Sequence, residues 1–199
     1  MKLDSSKVPS DSELWEALKR GEIKAYEVIF KTQYQFLINY GLKLNSDKEE
    51  VKDCLQILFS KIWERRSNLG ECNSIRNYLL ASARRLILKR INDRSEFVEL
   101  DQKKLRFHIE LSVESRMIQD QTLKTKIASL QKGIEKLPER QKEALYLKFY
   151  GDQSFADIAH AMNISTRASY KLIYKALDNL SKQLNTGSKD LPSLLTIFF

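Results

Sequence analysis

Residues 153–180 read QSFADIAHAMNISTRASYKLIYKALDNL, and their pattern decides the fold. Phe155, Ile158, Ala159 and Met162 recur at helical spacing and make one apolar face. Asn163 can take the positive φ of a tight turn, Ile164 fills the corner, and Ser165 can cap the helix that follows. Ala159 leaves the space that two closely crossing helices need. The second helix is expected to bury Ala168 or Ser169, then Leu172, Ile173, Ala176, Leu177 and Leu180. Thr166, Arg167, Tyr170, Lys171, Tyr174 and Lys175 then remain outward. An ordinary helical hairpin is the plain alternative. The small residue, turn Asn, apolar corner and Ser cap at these spacings favour a DNA-binding helix-turn-helix. A recognition helix needs polar side chains in its first turns for base edges and cations further on for phosphates, and this face supplies both.

Upstream, Ile127, Leu130, Ile134 and Leu137 place a helix over 124–137, and Pro138 opens the next, PERQKEALYLKFYG, as a first-turn residue. Gly151 is expected to end that helix in the left-handed conformation. Residues 96–125 form a connector. Within it, FHIELSV alternates Phe107, Ile109, Leu111 and Val113 with polar residues, the pattern of a short strand or a docking peptide. The end of the chain, 187–199, carries LPSLLTIFF. Such a tail packs on its own domain, stays disordered, or covers an interface for a partner.

The first half reads as helices. Ser12 or Asp11 can cap one that starts near Glu13, buries Leu14, Trp15 and Leu18, and ends at Gly21. A second, from about Lys24 to Leu44, is dense in aromatics: Tyr26, Phe30, Tyr34, Phe36 and Tyr40. After the turn at Asn45, Ser46 and Asp47, Val51, Cys54, Leu55, Leu58, Phe59, Ile62 and Trp63 give the clearest amphipathic pattern in the chain. That stripe is core, so any functional signal lies on the opposite face, with Asp53, Gln56, Ile57, Ser60 and Lys61. A helix from about Ser74 follows the loop NLGECN. It buries Ile75, Tyr78, Leu79, Ala83, Leu86 and Ile87 and leaves Arg76, Asn77, Arg84, Arg85, Lys89 and Arg90 outside. A charge run of this kind is by default a solvated face. Beside a Gly-containing loop and an aromatic-rich bundle, it also suits contacts to a nucleic-acid backbone.

The chain has 199 residues and a formal net charge of +8, so an acidic partner is expected, nucleic acid ahead of a membrane surface. The charge is bipartite: +5 over 1–95, −1 over 96–125, +4 over 126–186 and zero over the rest. Six glycines and three prolines favour long helices over a turn-rich β architecture. The fold class expected is therefore all-α, two small helical domains (11–95 and 126–186) joined by the 96–125 linker, with the tail at 187–199. No apolar run approaches the roughly 20 residues that span a bilayer, and the N-terminus lacks the apolar core of a secretion signal, so a cytoplasmic protein with no direct membrane insertion is expected. Cys54 and Cys72 form no CxxC pair, and His108 and His160 stand alone. With no Gly-rich phosphate loop and no defensible nucleophile, base or paired-carboxylate set, neither catalysis, metal nor cofactor is expected.

Three segments taken together resemble the extracytoplasmic-function (ECF) sigma factors, small two-domain initiation subunits of bacterial RNA polymerase. They are VKDCLQILFSKIWERR, SIRNYLLASARRLILKR, and KLPERQKEALYLKFYGDQSFADIAHAMNIS, in that order. The resemblance covers 11–95 and 126–184. It assigns the outer face of the third helix, Asp53, Gln56, Ile57 and Ser60, to the clamp coiled coil of the polymerase β′ subunit. Ile57 stands where the family usually has Glu. The loop 69–73 and the following helix correspond to the part that melts the minus-ten element, with Arg76, Asn77, Arg84, Arg85 and Arg90 as candidates. The family often has Asn and Asp where Arg85 and Lys89 stand here. The helix-turn-helix corresponds to the reader of the minus-thirty-five element, through Thr166, Arg167, Tyr170, Lys171 and Lys175. Family members often carry Lys and Val where Tyr170 and Ser169 stand. The resemblance further implies core polymerase, promoter DNA and an anti-sigma factor as partners, and a linker that threads toward the RNA exit channel. The competing reading is a dimeric helix-turn-helix regulator that acts on its own and footprints a palindromic operator.

Overall fold

The computed structural model describes residues 9–94, 106–109, 121–184, 191–192 and 195, and the chain divides into two compact units, 1–100 and 101–199. Every regular element among the described residues is helical. The first unit holds α1 (Asp11–Lys19), α2 (Ile23–Leu44), α3 (Lys48–Glu64), a short 3-10 turn (Arg66–Asn68) and α4 (Ile75–Arg94). The second holds α5 (Gln121–Glu135), α6 (Glu139–Phe149), α7 (Phe155–Met162) and α8 (Thr166–Leu184).

Local chemistry sets where these helices begin. The cap of α1 is Ser10 rather than Ser12 or Asp11: its hydroxyl accepts from the Glu13 amide while Glu13 reaches back to the Ser10 amide. Asp47 caps α3 by accepting from the Glu50 amide at 3.0 Å, and Glu49 and Glu50 in the first turn complement the helix dipole. Pro138 sits one place before α6, as its cap residue, and its carbonyl accepts from Gln141 and Lys142.

In the first unit α2 is the centre, packed against α1, α3 and α4, while α3 also packs on α4. Trp15, Leu18, Leu37, Tyr40, Leu55, Leu79 and Leu80 are essentially inaccessible, and each large apolar side chain so buried contributes about 1.5–3 kcal/mol. Gly41 marks the tightest approach: a Cβ there would lie 2.5 Å from Val51 Cγ1 and 3.1 Å from Ile87 Cδ1. Alanine gains about 1 kcal/mol of helix propensity over glycine. Overpacking of this size costs about 1–3 kcal/mol, so Gly41→Ala is expected to destabilise the protein in urea denaturation. Equal or greater stability would show that Val51 turns aside freely.

In the second unit α8 is the centre, packed against α5, α6 and α7. Of the two candidates at the head of α8, Ser169 is the buried one, and its hydroxyl lies 2.8 Å from the acceptor carbonyls of both Phe155 and Thr166. Gly151 does not take the left-handed conformation; Asp152 does, with φ of 49°. Gly151 is required instead by close approach, since a Cβ would stand 2.8 Å from the Leu147 carbonyl oxygen.

The expected linker 96–125 overlaps regular structure, because α5 already begins at Gln121. Residues 106–109 form no strand. They are docked on the second unit: Phe107 and Ile109 are buried, the Phe107 amide donates to the Glu139 carboxylate, and Gln131 Nε2 donates to the Ile109 carbonyl at 2.9 Å. The Phe107 ring meets Tyr146 edge-on at 5.5 Å. Leu111 and Val113 lie outside the described residues. In the tail, Leu191 and Leu195 are fully buried, as a packed end requires.

Candidate nucleic-acid interface

The turn of the helix-turn-helix is built as its sequence predicts. Ser154 and Asp157 form a capping box at the start of α7, and Asn163 ends it at φ 52°. Ile164 then donates its amide to the Ala159 carbonyl, and Ser165 accepts from the Ala168 amide. Ala159 is buried at the crossing, and Ile164 is half-buried. Leu172 is half-buried rather than buried; Ile173, Ala176, Leu177 and Leu180 make the core face. All of Thr166, Arg167, Tyr170, Lys171, Tyr174 and Lys175 are exposed on α8. Residues 163–165 thus fix one helix against another while leaving six adjacent side chains free to enter a groove about 12 Å wide.

On α3, Asp53, Gln56 and Ser60 are exposed and Ile57 is half-buried. With Lys61, Glu64 and Arg90 they line an open groove of about 390 Å³. Ser60 donates to Glu64 at 2.7 Å. Arg90 therefore keeps company with the α3 face. At about 100° per residue, Asn77 and Arg84 lie about 20° apart, whereas Arg90 is about 140° from Asn77, about 120° from Arg84 and only about 40° from Arg76. Arg85 is exposed, while Arg84 and Asn77 are half-buried. Arg76 is held toward α2, its Nε donating to Gln33 at 3.2 Å and its guanidinium 5.0 Å above the Phe36 ring.

Two positioning side chains escaped the sequence pattern. The Trp15 indole donates to the Gly70 carbonyl at 2.9 Å and packs edge-on against Tyr78. The Asp11 carboxylate accepts from the Ile75 amide at 2.8 Å, capping α4 from 64 residues away. Helix α1 so pins the loop 69–73 at both ends. No signal within α1 itself shows this, because both partners are long-range. An aromatic groove between α2 and α3, lined by Ile23, Tyr26, Phe30, Tyr34, Phe59 and Trp63, also extends to Gln56 and Ser60.

Both cysteines are free, and burial pushes both thiols up, so neither is a poised nucleophile. Among the described residues no His, Cys, Asp and Glu side chains gather as a metal site, and no helix is long and apolar enough to cross a membrane.

Residues 127–180 match the family model for sigma-70, region 4. The fold is similar to that of CnrH, solved in complex with the cytosolic domain of CnrY, at 16% identity and a TM-score of 0.56, covering 89% of this chain and 98% of that one. It is also similar to the sigma factor RpoE, solved in complex with the anti-sigma factor NepR from Bartonella quintana. That match has 17% identity and a TM-score of 0.56 and covers 81% of this chain and 98% of that one. No curated protein matches the sequence. The class defined by fold and site is a two-unit helical protein with a DNA-binding helix-turn-helix. The helix-turn-helix lies within the residues of the second unit that match sigma-70, region 4.

Proposed function

We infer that the protein is an RNA polymerase sigma factor of the ECF type, an initiation factor that gives the core enzyme its promoter specificity. The observation that carries this reading is the region 4 match at 127–180, on a helix-turn-helix whose recognition helix exposes polar, aromatic and cationic side chains in one stripe. The sigma-factor fold extending over the first unit supports it.

In this reading, 126–186 anchors in the duplex major groove of the minus-thirty-five element through Thr166, Arg167, Tyr170, Lys171 and Lys175. The first domain, 11–95, docks on the β′ clamp helices through Asp53, Gln56, Ile57 and Ser60. It opens the minus-ten element with loop 69–73 and with Arg76, Asn77, Arg84 and Arg85 of α4. Extruding a base costs a few kcal/mol, which pocket contacts and phosphate binding offset. Arg90, grouped with Asp53 and Gln56, suits the polymerase contact better than the minus-ten one. An anti-sigma factor is the expected regulator, since a similar sigma factor was solved with one. The protein acts without catalysis of its own, where core polymerase and chromosomal DNA are, in the cytoplasm.

Transcription in vitro with core polymerase on a genomic fragment library tests the function. Specific initiation that depends on the protein is expected; a palindromic footprint by the protein alone, with no stimulated initiation, would instead establish the dimeric regulator. For the docking face, Asp53→Ala with Gln56→Ala is expected to weaken core affinity at least about tenfold, as losing two central polar contacts does, with no change in melting. Undiminished affinity would remove that face from the contact.

A further inference from the structure

The outward surface of α8 divides into two rows of unlike chemistry. Arg167, Lys171 and Lys175, four residues apart, make a cationic row; Thr166, Tyr170 and Tyr174 run beside it. Tyr170 is 42% and Tyr174 61% exposed. They nevertheless have a fixed orientation. Their ring planes lie 9° apart with centroids at 6.2 Å. Tyr170 lies flat on Phe155, 3.8 Å away at 17°, and Tyr174 is nearly parallel to that same ring at 6.3 Å. Phe155 is the first residue of α7, directly after the Ser154 cap, and the Lys148 ammonium stands 5.3 Å from its ring. The tyrosine ridge is thus set before DNA arrives, which removes an ordering cost from binding.

Resting on the DNA-reading role of α8 given above, we propose that this ridge reads thymine: Tyr170 and Tyr174 contact C5-methyl groups in the major groove of the upstream element. The major-groove edges carry hydrogen-bonding atoms throughout, and the thymine methyl is the apolar group among them. A ring stacked flat on its neighbour holds its carbon edge in one place. The cationic row supplies donors for bases and phosphates, and the ridge adds a broad, rigid apolar surface beside it. Phe155 is a positioning residue that holds the ridge in register without touching DNA.

The test uses the full-length protein with core polymerase on a genomic fragment from which it initiates. Thymines of the upstream element are replaced singly by deoxyuridine, which removes only the methyl group. At one or two positions occupancy is expected to fall about fourfold, the worth of one buried methyl group. Tyr170→Ala with Tyr174→Ala should bind the thymine and uracil fragments equally. Tyr170→Phe, which keeps the ring, should still discriminate and guards against a folding artefact in the double variant. Phe155→Leu should narrow the thymine-to-uracil ratio while leaving affinity for the uracil fragment within about twofold; a merely structural role would lower both alike. Equal occupancy of the two fragments by the native protein, or discrimination that survives in the double variant, would overturn the proposal. If the protein initiates nowhere but footprints a duplex alone, the sigma-factor reading fails, and the same substitution on that footprint still decides the ridge.

Discussion

Replacing Arg167, Lys171 and Lys175 together by alanine is expected to lower upstream promoter occupancy by at least about a hundredfold near physiological salt. Each lost base-edge or phosphate contact of a recognition helix is worth about 1–3 kcal/mol, and the three act on one short stretch of duplex. The salt dependence separates the two kinds of contact. Binding that releases counterions weakens steeply with salt, and each lost phosphate contact flattens the log–log slope by about 0.9. A triple variant with weaker binding and a slope smaller by about 2 to 3 identifies the row as phosphate-gripping; weaker binding with an unchanged slope identifies it as base-reading. All three side chains are exposed, and alanine favours helix, so stability should move by no more than about 0.5 kcal/mol. Undiminished occupancy would exclude this face of α8 as the DNA contact.

Trp15→Ala is expected to cost about 3–5 kcal/mol of stability, the range for removing a large buried aromatic. Trp15 is 1% exposed, packs edge-on against Tyr78, and donates to the Gly70 carbonyl. Since whole domains are stable by only about 5–15 kcal/mol, the loss is visible as a lower urea midpoint of the first unit. Trp15→Phe retains most of the apolar ring and removes the indole donor. It should cost about 1–2 kcal/mol and speed hydrogen exchange in loop 69–73 more than in α2. A variant with unaltered loop exchange would show that the indole contact does not hold the loop and would leave the Asp11 cap on Ile75 as the tie between α1 and that segment.

The sequence carried different parts of this architecture with unequal clarity. The helix-turn-helix was legible because its determinants are local. Ala159, Asn163, Ile164 and Ser165 act within a few residues of one another, and each meets a steric or hydrogen-bonding demand of the turn. The apolar stripe of α3 was equally plain, since Val51 to Ile62 repeat at the helical period and are buried. Cap positions were less so. Ser10, Asp11 and Ser12 are all competent N-caps, and what selects Ser10 is the Glu13 side chain folding back on it while Asp11 is drawn to the Ile75 amide. Alternation in FHIELSV likewise suggested either strand or docked peptide. The choice falls on docking because Gln131 and Glu139, from two helices, take up its backbone groups.

Sequence by itself determined that the chain is helical, that its charge lies in two blocks, and that residues 153–180 turn one helix across another. These follow from periodicity, composition and φ preferences, which act over a few residues. Tertiary structure alone decided that α1 pins loop 69–73, that Arg90 sides with Asp53 and Gln56, and that Tyr170 and Tyr174 stand as one rigid ridge on Phe155. Each of these depends on which faces of separate helices meet. A helix pattern states which side is apolar, but the rotation and offset that bring a Trp donor to a carbonyl 55 residues away arise only once whole surfaces are packed together.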